Sequence, residues 1–316
     1  MVPLHPPVAP VLAIGAANMD IAASTPHGLT AGDSTPGTIR HAPGGVARNV
    51  AENLARLGHA VHLLCAVGDD LFGHSLLAQT RSAGVQVDGC WTLPDAATST
   101  YLSLHGADGD MAVAVNDMAI VERLTPQHLQ ARAALLDGAG ALLLDGNLPP
   151  TVLEWLFGRP TGAPVFVDPV SAFKCRRFLP WLDRVHTIKA NRIEAQALWG
   201  HALDSDPAIL DCATWLHARG VRQVVLSLGA RGAYWSAAGG AAGWAPALPV
   251  AVCNATGAGD ALMAGLLHGH LLGQSLADSV AFGAACAALT LTAPQANHAG
   301  LSVAAVHRLQ GRPAPP

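Results

Sequence analysis

Asn254-Ala255-Thr256-Gly257-Ala258-Gly259-Asp260 runs directly into the apolar segment Ala261-Leu262-Met263-Ala264-Gly265-Leu266. Small residues of this kind let consecutive backbone N–H groups turn towards one point, and the helix that follows adds its positive N-terminal end. Together they form a site for an anion. Asp260 stands where loop becomes helix, so its carboxylate can face the same point. A proton acceptor beside an anion hole suits transfer of a phosphoryl group to a hydroxyl. By itself the stretch also reads as a tight turn with an N-capping Asp.

Downstream, residues 261–292 are apolar but interrupted by His268, His270, Gln274 and Asp278, which makes them two buried helices and no membrane span. Upstream, Val11-Leu12-Ala13-Ile14-Gly15 is a short apolar run stopped by glycine, the pattern of a buried parallel strand, with Asn18-Met19-Asp20 at its carboxyl end. Residues 21–43, rich in Ser, Thr, Pro and Gly, can carry only short peripheral strands. Gly44-Gly45 opens a helix with Val50, Leu54 and Leu57 on one face and Gly58 as its stop. Val61–Val67 is a second buried strand, followed by a helix over 71–81. Residues 98–104 and 111–115 flank a turn at Asp108-Gly109, a hairpin that completes a small sheet with the 21–43 segment. From Leu124 onward strands at 141–144, 165–167, 186–188 and 224–226 alternate with helices, which predicts a parallel sheet covered on both faces.

The 316 residues suit one large α/β domain. They are 51% apolar and only 13% charged, with net charge −4, which argues against a nucleic-acid surface. Lys174 and Lys189 are the only lysines, and neither stands in G-x-x-x-x-G-K-[ST], so a P-loop is excluded. The six cysteines show no C-x-x-C pair or zinc spacing, as expected of reduced thiols in a cytoplasmic protein. Residues 1–10 lack the pattern of a secretory leader, and they and residues 311–316 are expected to be flexible tails.

Four further places can carry chemistry. Gly44-Gly45 permits close approach of a ligand, with Asn49 on the first helical turn, or simply makes a tight strand-to-helix connection. Asp168-Pro169-Val170-Ser171-Ala172-Phe173-Lys174 puts an acid, a hydroxyl and a lysine at a strand's carboxyl end. Asn191 and Glu194 share a helical face; they fit a capping box, or an amide on phosphate beside a carboxylate that organises hydrated Mg²⁺. Leu226-Ser227-Leu228-Gly229-Ala230-Arg231-Gly232 is a β-turn or a nucleotide-binding loop. The dinucleotide fingerprint G-x-G-x-x-G is absent.

Taken in order, Gly44-Gly45…Asn49, Asn191-x-x-Glu194, Ser227-x-Gly229-x-x-Gly232 and Gly257-Ala258-Gly259-Asp260 resemble the ribokinase-like family of sugar and nucleoside kinases over nearly the whole chain. Asn18-Met19-Asp20-Ile21, Asp33-Ser34-x-Pro36-Gly37, Gly45-Val46-x-Arg48-Asn49, Val115-Asn116-Asp117-Met118 and Val167-Asp168-Pro169-Val170-Ser171-x-x-Lys174 are similar to a nucleoside kinase within it. Ala47 departs from the glycine often found there.

The resemblance implies a three-layer α/β/α sandwich with a mostly parallel sheet and a small β-sheet lid. The kinase domain would span 11–310, with lid segments at about 20–43 and 92–119. It implies ATP and Mg²⁺, a nucleoside substrate, no nucleic-acid or membrane partner, and a homodimer through the lid. Asp260 would be the base, with Gly257, Ala258 and Gly259 as the anion hole. Asp20, Gly44, Gly45 and Asn49 would hold the ribose, and Ser34, Asn116, Ser171 and Lys174 the nucleobase end. Asn191, Glu194, Ser227, Gly229, Gly232 and Thr256 would serve the nucleotide, with Glu194 reaching Mg²⁺ through water. K⁺ activation is put in question by Asn254, where many relatives have Asp. A kinase for another nucleoside or a sugar, and a non-catalytic ligand sensor, stay open.

Overall fold

The computed structural model describes residues 9–30, 32–108 and 110–311. Eight strands form the main sheet. In chain order they are β1 (Val11–Ile14), β4 (Val61–Leu64), β9 (Ala141–Asp145), β10 (Val165–Asp168), β11 (Thr187–Asn191), β12 (Gln223–Ser227), β13 (Ala233–Ala237) and β14 (Ala242–Ala245). Their spatial order is β4-β1-β9-β10-β11-β12-β13-β14. Pairing is parallel from β4 through β12, and β13 and β14 add an antiparallel edge.

Strands covered on both faces are continuously apolar. All four residues of β1 are buried, and they alternate between two cores. Leu12 and Ile14 join Leu142, Leu144, Val165, Val167, Val224 and Leu226 on one face, under the helices Pro150–Gly158, Arg192–Trp199 and Asp206–His217. Val11 and Ala13 join Leu143, Phe166 and Val225 on the other, under the helices Val46–Arg56, Leu71–Ser82 and Ala258–Leu271. The two expected buried helices are Ala258–Leu271 and Leu276–Leu291. Their small residues let them cross closely: a side chain at Gly265 would strike the backbone of Gly283. Among the described residues no helix is long and apolar enough to cross a membrane.

A four-stranded sheet, ordered β3-β2-β7-β8, stands apart from the large one. It comprises β2 (Asn18–Ser24), β3 (Thr38–Gly44), β7 (Thr100–His105) and β8 (Met111–Asp117). The hairpin expected at 98–115 is the β7–β8 pair; Gly109, expected at its turn, lies outside the described residues. The tails likewise lie mostly outside them, but Pro10 is anchored, its carbonyl accepting from Gly140 N–H at 2.9 Å.

The single strand expected over 61–67 is instead two. β1 ends at Ile14, opposite Leu64, so beyond Leu64 the large sheet offers no neighbour. After Cys65 the chain pairs β5 (Ala66–Gly68) with β6 (Trp91–Leu93) in a separate two-stranded sheet.

Candidate active site

The chain runs from β1 to β4 on one side and, from β9 onward, to the other. The carboxyl ends of β1 and β9 therefore flank the reversal, where open α/β sheets leave a crevice. Asp145 ends β9 and is fully buried. Its Oδ2 accepts from the N–H groups of Ala16 (2.9 Å) and Ala47 (3.1 Å), and its Oδ1 from that of Asn147 (2.9 Å). One side chain thus ties β1, β9 and the start of the Val46–Arg56 helix. Burial pushes its carboxyl up, against the pull of those three donors.

Asp20 projects from β2, and its Oδ1 accepts from Asn18 Nδ2 at 2.6 Å. Its carboxyl is raised by burial, with the Asn18 amide and the Arg48 charge opposing. Gly44 has no room for a side chain because the Asp20 carboxylate lies there. Gly45 turns at φ 98°, and a methyl would sit 2.5 Å from the Ala16 carbonyl. The glycine pair therefore serves both as a tight connection and as close approach to Asp20.

From the first turn of that helix Asn49 reaches Asp260: its Nδ2 donates to Asp260 Oδ2 at 2.7 Å. Asp260 is 8% exposed. Burial and then the Asp168 carboxylate push it up to about 7, against Lys189, the Asn49 amide and Arg48. It lies in the first turn of the Ala258–Leu271 helix, capped by Gly257 at φ 82°. Only glycine fits at 257, because a side chain would run into the Ala296 carbonyl. The first N–H groups of this helix have no acceptor within it and open beside the carboxylate. The helix dipole adds positive potential at the same place.

Beneath this loop lies a buried pair. Lys189 Nζ is 2.7 Å from Asp168 Oδ2, with both side chains at most 6% exposed. A Cβ on Gly259 would sit 2.9 Å from that ammonium, so the cation lies against the Gly257–Gly259 loop. Burial alone would lower Lys189, but Asp168, Glu194 and Asp260 outweigh it and hold its proton more firmly than usual.

Asn191 and Glu194 make the capping box: Asn191 Oδ1 accepts from Glu194 N–H (2.9 Å), and Glu194 Oε2 from Asn191 N–H (2.9 Å). Asn191 Nδ2 also donates to Glu194 Oε1 at 2.7 Å. Glu194 is buried, which raises its carboxyl, with Asp168 adding to the effect. In register, Asn191 stands opposite Ser227, so both candidates for the nucleotide end share one sheet edge.

The profile of the pfkB family carbohydrate kinases matches residues 9–302. The chain belongs to the pfkB family. It is therefore a phosphotransferase with an alcohol acceptor. Pseudouridine kinase of Escherichia coli (strain K12) is 42% identical over 296 residues, covering 94% of this chain and 95% of that protein. An uncharacterized sugar kinase of the same strain is 41% identical over 289 residues, 92% of this chain and 80% of its own. A carbohydrate kinase from Agrobacterium tumefaciens superposes with a TM-score of 0.83 at 27% identity, covering 96% of this chain and 97% of that one.

In this pfkB kinase the remaining candidates are less tightly gathered. Gly229 and Gly232 close the turn after β12, Leu228 N–H donating to the Gly232 carbonyl at 2.8 Å. Thr256 is exposed, and its N–H donates to Asn254 Oδ1 at 2.9 Å. Asn116 lies opposite Tyr101, which lies opposite Asp20, so the three share one face of the small sheet. Lys174 Nζ donates to Asn147 Oδ1 at 2.5 Å, and Ser171 Oγ accepts from Lys174 N–H at 3.3 Å. Burial lowers Lys174, while Asp145 pulls the other way. Ser34 is exposed and its N–H donates to Asp33; among the described residues no hydrogen bond joins it to the other candidates.

Sequence reasoning leaves out Asp145, Lys189 and Tyr101. Asp145 carries a usable signal, an acid directly after the buried run Leu142-Leu143-Leu144. The Lys189–Asp168 pairing carries none, because the partners come from different strands.

Proposed function

We propose that this chain transfers the γ-phosphoryl group of ATP to the 5′-hydroxyl of pseudouridine, giving pseudouridine 5′-phosphate and ADP. The observation that carries the chemistry is Asp260: a buried carboxylate pushed up to about 7, beside the amides that open a helix. The 5′-oxygen attacks the γ-phosphorus while its proton passes to Asp260, and the bond from that phosphorus to the β,γ-bridging oxygen breaks. The amides of Gly257, Ala258 and Gly259 hold the developing charge. Asp20, Gly45 and Asn49 bind the ribose, and the face carrying Asp20, Tyr101 and Asn116 closes over the nucleoside. The choice of pseudouridine rests on the 42% identical relative.

Mg²⁺, when bound, would supply neutralisation of phosphate charge. The residues present fit an ion held through water. Glu194 supplies a hard oxygen donor, and each of its oxygens keeps a lone pair beyond the one Asn191 occupies. K⁺ has less to hold it, because Asn254 is neutral and its side-chain oxygen already accepts from Thr256.

A homodimer follows from the other face of the small sheet. Ile21, Leu102 and Val115 form one cross-strand row, and Ala23, Leu104, Val113 and Ile39 the next. Ile39 is 73% exposed and Val115 63%, an apolar surface suited to burial against a second copy. We place the protein in the cytoplasm, in keeping with six free thiols.

The deciding experiment is ATP turnover with pseudouridine, uridine, adenosine, inosine and ribose in parallel, with and without K⁺. Pseudouridine should lead in kcat/KM by tenfold or more, about 1.4 kcal/mol of transition-state discrimination. Another acceptor in front would keep Asp260 chemistry and discard the substrate. No turnover on any would favour a ligand sensor.

A further inference from the structure

Arg48 belongs to none of the roles above, yet it is a charged side chain only 1% exposed, on the helical turn that carries Asn49. Its Nε and Nη2 both donate to Asn49 Oδ1, at 3.2 and 2.5 Å. Its Nη1 donates to Glu52 Oε2 at 2.6 Å, and Nη2 also donates to Asn297 Oδ1. Asn297 in turn donates to the Asn49 carbonyl and to Asn53 Oδ1, each at 2.9 Å. Glu52 is held from its other side by Arg56, whose donors reach Oε1 at 2.9 and 2.7 Å.

A side-chain amide has nearly the same shape when turned by 180°, so packing alone does not choose between its oxygen and its nitrogen. At Asn49 the wrong choice would aim an oxygen at the Asp260 carboxylate. The guanidinium fork makes the choice by holding the oxygen, which leaves Nδ2 facing Asp260. We infer that Arg48 is a positioning residue for the phosphoryl-transfer site: it fixes the orientation of Asn49 and through it the Asp260 carboxylate. Asn297 anchors the same fork to the segment whose Ala296 carbonyl packs over Gly257, so base and anion hole share one support.

Lysine at 48 keeps the charge but cannot place two donors on Asn49 while holding Glu52 and Asn297. The groups acting on Asp260 are Asp168 and Lys189 from β10 and β11, and Asn49 and Arg48 from the helix. An Asn49 amide that is no longer held stops donating to the carboxylate, and Arg48→Met also removes the nearby charge; each loss removes stabilisation of the charged carboxylate. Its titration should therefore move to higher pH.

The inference rests on Asp260 acting as the base, and its test has a part that does not. The Asp260 carboxyl is followed by ¹³C NMR against pH in the wild type, Arg48→Lys and Arg48→Met, assigned with Asp260→Asn. Arg56→Met, which loses contacts to Glu52 but none to Asn49, is the control. Arg48→Lys is the deciding variant should Arg48→Met not fold. Its midpoint should rise by ~0.5 unit or more. kcat/KM on the best acceptor should fall roughly tenfold or more, and its acid limb should move with the midpoint. Arg56→Met should leave both unmoved even where it lowers Tm. An unmoved midpoint in Arg48→Lys, or an equal shift in Arg56→Met, overturns the positioning role. A shifted midpoint in a protein that turns over no acceptor would uphold the positioning and refute the kinase reading.

Discussion

The side-chain amide of Asn49 donates to the carboxylate of Asp260 at 2.7 Å, across 211 positions of sequence. This contact joins the Val46–Arg56 helix, which follows Gly44 and Gly45, to the Ala258–Leu271 helix that starts at Gly257. It places a neutral donor on a carboxylate which burial would otherwise favour as an acid. Asp260, Asn49 and the helix start at Gly257 therefore form one unit.

Replacing Asp260 separates chemistry from stability. Asp260→Ala should lower kcat by roughly 10²–10⁴-fold with the fold intact. Asp260→Asn should be equally inactive and more stable than the wild type at pH 8. The folded carboxyl titrates near 7, above its ordinary 3.8, so its contribution is fully favourable only below the lower value and is lost as pH rises through the upper. The stability difference should widen between pH 4 and 7 and stay flat above. Thermal melts across that window test it; a constant difference would place the folded value elsewhere.

Free Asp260 must be unprotonated to accept a proton, so kcat/KM for the alcohol substrate should fall as pH drops below about 7. The acid limb of the pH profile reads this directly. A limb near 4 would mean the carboxylate is far better solvated in the working enzyme.

Gly257→Ala should cost both stability and rate. The residue is in the left-handed region at φ 82°, and the methyl would meet a main-chain carbonyl, which cannot step aside as a side chain would. Strain of about 1–3 kcal/mol is expected from the backbone alone. Chemical denaturation and kcat should show it together, because moving this turn moves the amides of the anion hole.

Lys189→Met should destabilise by about 3–5 kcal/mol, because the Asp168 carboxylate would stay buried without its cation. The double variant Lys189→Met/Asp168→Asn should recover much of that stability and little of the activity, since the ammonium lies against the Gly259 loop. Equal stabilities of single and double variants would show that the pair is independent.

Glu194→Gln divides the capping role from the Mg²⁺ role. The amide keeps an oxygen for the Asn191 N–H but no longer accepts from Asn191 Nδ2, so Tm should fall modestly. The Mg²⁺ concentration for half-maximal activity should rise several-fold. An unchanged Mg²⁺ titration with a lowered Tm would leave Glu194 as a cap alone.

Local pattern carried much of this. Continuous apolar runs marked β1, β9, β10 and β12, because strands covered on both faces bury every residue. Gly257-Ala258-Gly259-Asp260 was legible because one turn and one helix start supply both amides and acid within a few residues. Asn191 and Glu194 were legible as a capping box for the same reason. The end of β4 was not, since a strand stops where its neighbour does, and Ile14 gives no local sign of that to Leu64.

The sequence by itself determined most element types, the glycine turn that opens a helix with an acid in its first turn, and the absence of a P-loop, all properties of short contiguous segments. Only the tertiary structure decided that Asn49 faces Asp260, that Lys189 neutralises Asp168, and that Asp145 binds the ends of β1 and β9 together. It also decided that Asp260 titrates near neutrality. A carboxylate's proton affinity is set by what surrounds it after folding, and the chain brings those neighbours from three separate elements.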